Sequence, residues 1–162
     1  MKKVYILWCA LVSLATMGYA QKQVFLPDSL RCYDLNDSNS RWCWQRSAQT
    51  DNIIVFWEKG FGDDLSNPPT LEGKSMYFDL DNLLQRVETF YAYFRDSLRF
   101  TLPGSKAERY KMMVMVNYSL DGTAYGGTYD NFIGALWVAP NRIQDRKLNC
   151  IAHELGHSFQ LQ

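Results

Sequence analysis

His153-Glu154-Leu155-Gly156-His157 is the stretch of this chain whose residue types and spacing are best suited to chemistry. On a helix, positions four apart lie about 40° from each other and about 6 Å apart along the axis. His153 and His157 can then offer imidazole nitrogens to one metal ion, at the roughly 2.0–2.1 Å that zinc requires. Glu154 follows the first histidine, so its carboxylate flanks the ion rather than binding it. There it can take a proton from a water on the metal and later pass it to a leaving amine. Zinc brings the pKa of such a water to about 7, which makes hydroxide accessible at neutral pH.

A pattern this short arises by chance, so its surroundings matter. The chain has two histidines and five glutamates, and the motif uses both histidines and one glutamate. Ile151, Ala152, Leu155, Gly156, Ser158 and Phe159 keep charge out of the neighbouring turns, as a helix beneath a cleft requires. Cys150 lies on nearly the same helix face as His157 but about 10 Å away along the axis, at 1.5 Å per residue. One zinc ion cannot bind both, so Cys150 reads as a buried thiol or half of a disulfide.

The elements that must position this helix follow from periodicity. Ile53 to Trp57 is a short β-branched and aromatic run ended by Gly60-Phe61-Gly62, a buried strand. Asp63 to Lys74, with Pro68-Pro69 and Gly73, reads as a loop. Leu80, Leu83, Leu84, Val87, Phe90, Tyr91, Phe94 and Leu98 recur at three- and four-residue steps. They predict one amphipathic helix with Asp79 or Asp81 as N-cap and Pro103-Gly104 closing it. Lys111 to Tyr118 and Gly134 to Val138 read as further strands. Between them, glycine- and tyrosine-rich Leu120 to Asn131 reads as an edge strand with a bulge or as a loop. The last helix is expected to start between Asn141 and Asp145, after Pro140.

The order strand, long helix, strand, glycine-rich segment, strand, motif helix resembles that of the zincins. The resemblance spans about residues 52–162 in element order, and only the HExxH helix in motif. It implies an α+β fold: a zincin-like N-terminal subdomain with a mixed twisted β-sheet, a backing helix and the active-site helix. It also implies that an edge strand above the metal pairs with extended substrate; Gly122 to Asn131 and Gly134 to Val138 are both candidates. Residue 160 is Gln where metzincins carry glycine, and His153 to Gln162 (HELGHSFQLQ) is closer to gluzincin-like secreted bacterial proteins. In those the third zinc ligand is a glutamate on a later helix, which would fall beyond Gln162.

Bulk properties fit this reading. At 162 residues, 47% apolar and 15% aromatic, the chain can build one core. Seventeen basic residues balance seventeen acidic ones, which leaves no electrostatic case for nucleic acid or anionic membrane as partner. Lys2 and Lys3 precede an apolar run from Val4 to Met17, and Gly18-Tyr19-Ala20 offers small residues at the −3 and −1 positions. Residues 1–20 therefore read as a secretory signal peptide cleaved near Ala20, the run being shorter than the roughly 20 residues of a membrane span. The mature protein is expected to be secreted or periplasmic, with no membrane span. Cys9 leaves with the leader; Cys32, Cys43 and Cys150 remain in an oxidising compartment. Pairing of Cys32 with Cys43 is one expectation, and pairing of Cys150 with either of them, or beyond Gln162, is another.

Residues 21–51 read as an irregular N-terminal segment, whose Tyr33, Trp42 and Trp44 could grip a sugar but more simply anchor it to the core. The function expected is a secreted zinc metallopeptidase acting on protein or glycoprotein, with His153 and His157 as metal ligands and Glu154 as general base. The alternative is a catalytically incomplete zincin-like domain serving as a surface glycan- or protein-binding module.

Overall fold

The computed structural model describes residues 21–160; the expected signal peptide and the last two residues lie outside them. The fold is mixed α+β, a five-stranded mixed sheet with helices. Its strands are β1 (Ser47–Gln49), β2 (Ile53–Trp57), β5 (Met112–Val116), β6 (Ala124–Tyr129) and β7 (Ile133–Val138), in the spatial order β1-β2-β5-β7-β6. β2, β5 and β7 run parallel, whereas β1 and β6 are antiparallel edges. A separate two-residue hairpin, β3 (Thr70–Leu71) with β4 (Lys74–Ser75), interrupts what reads from sequence as a loop.

Both faces of the parallel centre are covered, which is why β2 and β5 are apolar without alternation. Ile53, Val55, Trp57, Val114, Val116, Leu136 and Val138 face helices α2 (Leu80–Ala92) and α4 (Asn149–Gln160). Ile54, Phe56, Met113, Met115 and Ala135 face the opposite way, onto the N-terminal segment and its short helix α1 (Asp28–Arg31). Trp42 is buried there and Trp44 packs on Phe56 at 5.4 Å, so these aromatics anchor the segment to the sheet. Buried Arg46 fastens it further, donating to the Ser38 and Ser40 carbonyls and pairing with Asp63 at 2.8 Å. The segment expected to be irregular through Asp51 thus carries regular structure, the short helix α1 from Asp28 and, at its end, the antiparallel strand β1.

Asp79 is the N-cap of α2, accepting from the Asn82 amide at 2.9 Å. The helix does not run unbroken to Leu98: from Tyr93 to Ser97 it widens into a π-helical turn. A further short helix, α3 (Lys106–Arg109), precedes β5. No helix among the described residues is long and apolar enough to cross a membrane.

Among the described residues the cysteines do not pair with one another. Cys32, Cys43 and Cys150 are free thiols, with Cys32 exposed and Cys43 buried. The eleven-residue separation of Cys32 and Cys43 suggests a loop closed by a disulfide, but Cys43 is drawn into the core while Cys32 ends α1 facing solvent.

Candidate metal-binding helix and edge strand

Helix α4 begins at Asn149, later than the expected start between Asn141 and Asp145. Pro140–Arg142 form a single 3-10 turn, and Leu148 adopts a left-handed φ of 52° that resets the chain direction just before the helix. From there the burial pattern is helical. Ile151, Leu155, Ser158 and Phe159 are buried at steps of four, three and one, forming the face laid against the sheet and α2. Each such apolar side chain contributes about 1.5–3 kcal/mol on burial. His153 and His157 each follow a buried residue by two positions, about 200° round the helix. They are accordingly exposed.

The two imidazoles converge. His153 Nε2 and His157 Nε2 are 3.1 Å apart, and their ring planes are nearly perpendicular at 89°. Two nitrogens bound tetrahedrally to zinc at 2.0–2.1 Å stand about 3.3–3.4 Å apart. The pair fits one such ion with a few tenths of an ångström of adjustment. No third histidine, cysteine, aspartate or glutamate among the described residues gathers with them. Cys150 therefore does not complete a ligand set with the two histidines.

Glu154 points elsewhere, toward β6. Its Oε2 accepts a hydrogen bond of 2.9 Å from the Gly126 amide. Gly126 also lies so close to the helix that a Cβ there would stand 1.7 Å from the Glu154 carbonyl oxygen. Register explains the proximity. Ala124, Gly126 and Thr128 pair with Val138, Leu136 and Gly134 on the sheet face that α4 covers. Tyr125 and Tyr129 point to the other face, where both pack around Trp137 at 5.8 and 5.0 Å. Of the two segments that sequence leaves open as edge strand, the structure selects Ala124–Tyr129, because β7 is enclosed between β5 and β6. A tight turn at Asp130 and Asn131, with φ of 53° and 52°, returns the chain into β7. These residue types tolerate the left-handed region better than most.

Two contacts hold α4 in place from behind. Ser158 Oγ donates to the Ala135 carbonyl of β7 at 2.9 Å and lies 3.2 Å from the Glu154 carbonyl. On the other side, Phe94 of the π-helical turn lies over Gly156, within 3.3 Å of where a Cβ would be. Phe94, Phe100 and Tyr91 then surround Phe159, with ring centroids 4.9 to 6.3 Å away. A separate concavity of about 390 Å³, lined by Lys74, Ser75, Leu120, Pro140, Asn141 and Gln144, includes no residue of the motif helix.

Gly126 and Ser158 are site residues that the motif itself does not single out. The glycine pair Gly126-Gly127 inside a strand was a signal of close backbone approach, but its partner is set by the tertiary fold. No curated protein and no solved structure matches the chain. The model of one family matches residues 16–162, nearly the whole chain, and so the protein belongs to DUF6055, a family of unknown function.

Proposed function

We propose that this protein is an exported zinc-dependent metallopeptidase acting on protein or glycoprotein, built on a zincin-like arrangement of edge strand and HExxH helix. The observation that carries the proposal is the joint placement of three side chains on α4. His153 and His157 bring their Nε2 atoms within 3.1 Å, and Glu154, one position along, is held against the edge strand through Gly126. His153 and His157 would hold the ion, with the third protein ligand contributed by a residue outside 21–160. When bound, zinc supplies Lewis acidity toward a carbonyl oxygen and a water acidic enough to ionise near neutral pH.

The chain's own residues do the rest. Glu154 Oε2 is fixed by the Gly126 amide, leaving Oε1 to accept a proton from the attacking water and return it to the departing amine nitrogen. β6 is the outermost strand of the sheet, and the part of its edge not taken by Glu154 would offer backbone groups to an extended peptide and hold a scissile bond near the helix. α4 cannot drift from that edge, because Ser158 ties it to β7 and Gly126 admits its backbone closely.

The test uses the full-length protein and two readouts. Zinc content should be one per chain in the wild type and in Glu154→Gln, and should fall well below that in His153→Ala and His157→Ala. Hydrolysis of a denatured protein and of a mucin-type glycoprotein should drop about 10²- to 10⁴-fold in Glu154→Gln, the usual contribution of a positioned general base. Zinc bound without Glu154-dependent hydrolysis would instead favour a binding module. Absence of zinc would remove the metal reading altogether.

A further inference from the structure

The first described residues are tied into the fold by hydrogen bonds. Gln23 bridges to the start of β5: its amide donates to the Arg109 carbonyl and its carbonyl accepts from the Lys111 amide, both at 2.9 Å. Lys22 Nζ donates to Tyr91 Oη at 2.7 Å, and Tyr91 Oη in turn donates to the Ala107 carbonyl at 3.0 Å. Gln21 is exposed, and its side chain makes no hydrogen bond with another described residue. The chain is thus held from Lys22 onward, while the Gln21 side chain has no hydrogen-bond partner among the described residues.

We propose that export exposes Gln21 as a modification site, where the new α-amine closes onto its own side-chain amide to give an N-terminal pyroglutamate. This rests on the export reading, which places cleavage between Ala20 and Gln21. The balance is intramolecular. The unprotonated amine nitrogen attacks Cδ of Gln21, the N–Cδ bond forms and the Cδ–Nε2 bond breaks. One amine proton leaves with the amide nitrogen as ammonia, and no oxidant or reductant is required.

The site favours closure in two ways. The ring needs only Gln21 to turn, so Lys22 and Gln23 keep their contacts with Tyr91, Arg109 and Lys111. Closure also removes a positive charge beside Lys22, whose own charge is already disfavoured by burial and by nearby Arg95 and Lys111, despite opposing Glu88 and Glu108. Loss of the terminal ammonium changes local electrostatics, as terminal capping does generally.

The experiment is mass spectrometry of the exported full-length protein, cut before Asp28 to release residues 21–27. Pyroglutamate is expected, with that peptide about 17 Da lighter than its free-amine form and refractory to stepwise amino-terminal degradation. The Gln21→Ala protein, exported in parallel, should carry a free amine. A wild-type peptide 21–27 with its amine intact overturns the inference while leaving the export reading in place. A mature chain that begins anywhere other than Gln21 overturns both.

Discussion

The Gly126 amide donates to the Glu154 carboxylate at 2.9 Å, and the same glycine leaves no room for a Cβ against the Glu154 carbonyl. One residue of the edge strand thereby touches both the side chain and the backbone of the motif's glutamate. The functional consequence is that the strand's position and the carboxylate's orientation cannot vary independently.

Gly126→Ala is therefore expected to be among the more damaging single-methyl changes in the chain. Its Cβ would meet backbone oxygen at 1.7 Å, which no rotamer change can relieve, so β6 and α4 must separate. Overpacking of this kind costs about 1–3 kcal/mol, and a rigid backbone partner puts it at the upper end. Gly127→Ala is the control: there the nearest atoms belong to the ring of Tyr125, 57% exposed and free to swing. Urea unfolding should show a large loss for the first and a small one for the second; equal losses would contradict the packing described.

Substitutions at Glu154 should separate anchoring from chemistry. Glu154→Gln keeps an oxygen acceptor for the Gly126 amide, so its stability should stay within about 0.5 kcal/mol of wild type. Glu154→Ala leaves that amide without its partner and should lose about 1–2 kcal/mol. Denaturant midpoints read this directly, before any activity is assayed. If the glutamine variant is as unstable as the alanine one, the hydrogen bond to Gly126 is not what orients the side chain.

Much of this site is legible in the sequence, and its failures have physical causes. The motif helix follows from His153, Glu154 and His157 set among Ile151, Leu155 and Phe159, and the strands at Ile53–Trp57 and Met112–Val116 from their apolar runs. The start of α4 does not, because residues 143–148 are compatible with a helical turn until Leu148 takes a left-handed φ. β1 is hidden since Ser47-Ala48-Gln49 has no strand character of its own and forms only by pairing with Phe56, Val55 and Ile54. Edge and interior strand cannot be told apart locally: Gly126-Gly127 fits either strand or loop, and the distinction lies in which neighbour β7 meets on its other side. Cysteine spacing misleads for a similar reason, as burial of Cys43 depends on Trp42 and Leu35 reaching the sheet.

Ser158 tests whether α4 is tied to β7 by more than apolar packing. Its side chain is fully buried and donates to the Ala135 carbonyl at 2.9 Å. Ser158→Ala should cost about 0.5–1.5 kcal/mol through loss of that bond. Ser158→Val, which adds volume as well, should cost about 1–3 kcal/mol. Thermal unfolding of both variants checks the order; a stabilised valine variant would mean that the space around Ser158 is looser than the structure has it.

The Lys22–Tyr91 pair gives stability a two-sided dependence on pH. Burial, with Arg95 and Lys111 nearby, lowers Lys22 from its ordinary 10.5 to about 8. The folded state therefore releases this proton before the unfolded state does, and stability rises as pH increases from about 8 toward 10.5. Tyr91 has the opposite sign. Burial raises its hydroxyl from 10.0 to about 12, so the folded state keeps a proton that the unfolded chain loses, and stability falls across that window. Unfolding free energies measured from pH 7 to 11 should thus climb to a maximum near pH 10 and then decline. Lys22→Met should abolish the climb and leave the decline, while Tyr91→Phe should do the reverse and also lose the bond to the Ala107 carbonyl. A wild-type profile that is flat from pH 7 to 10 would show that Lys22 stays solvated rather than packed on Tyr91.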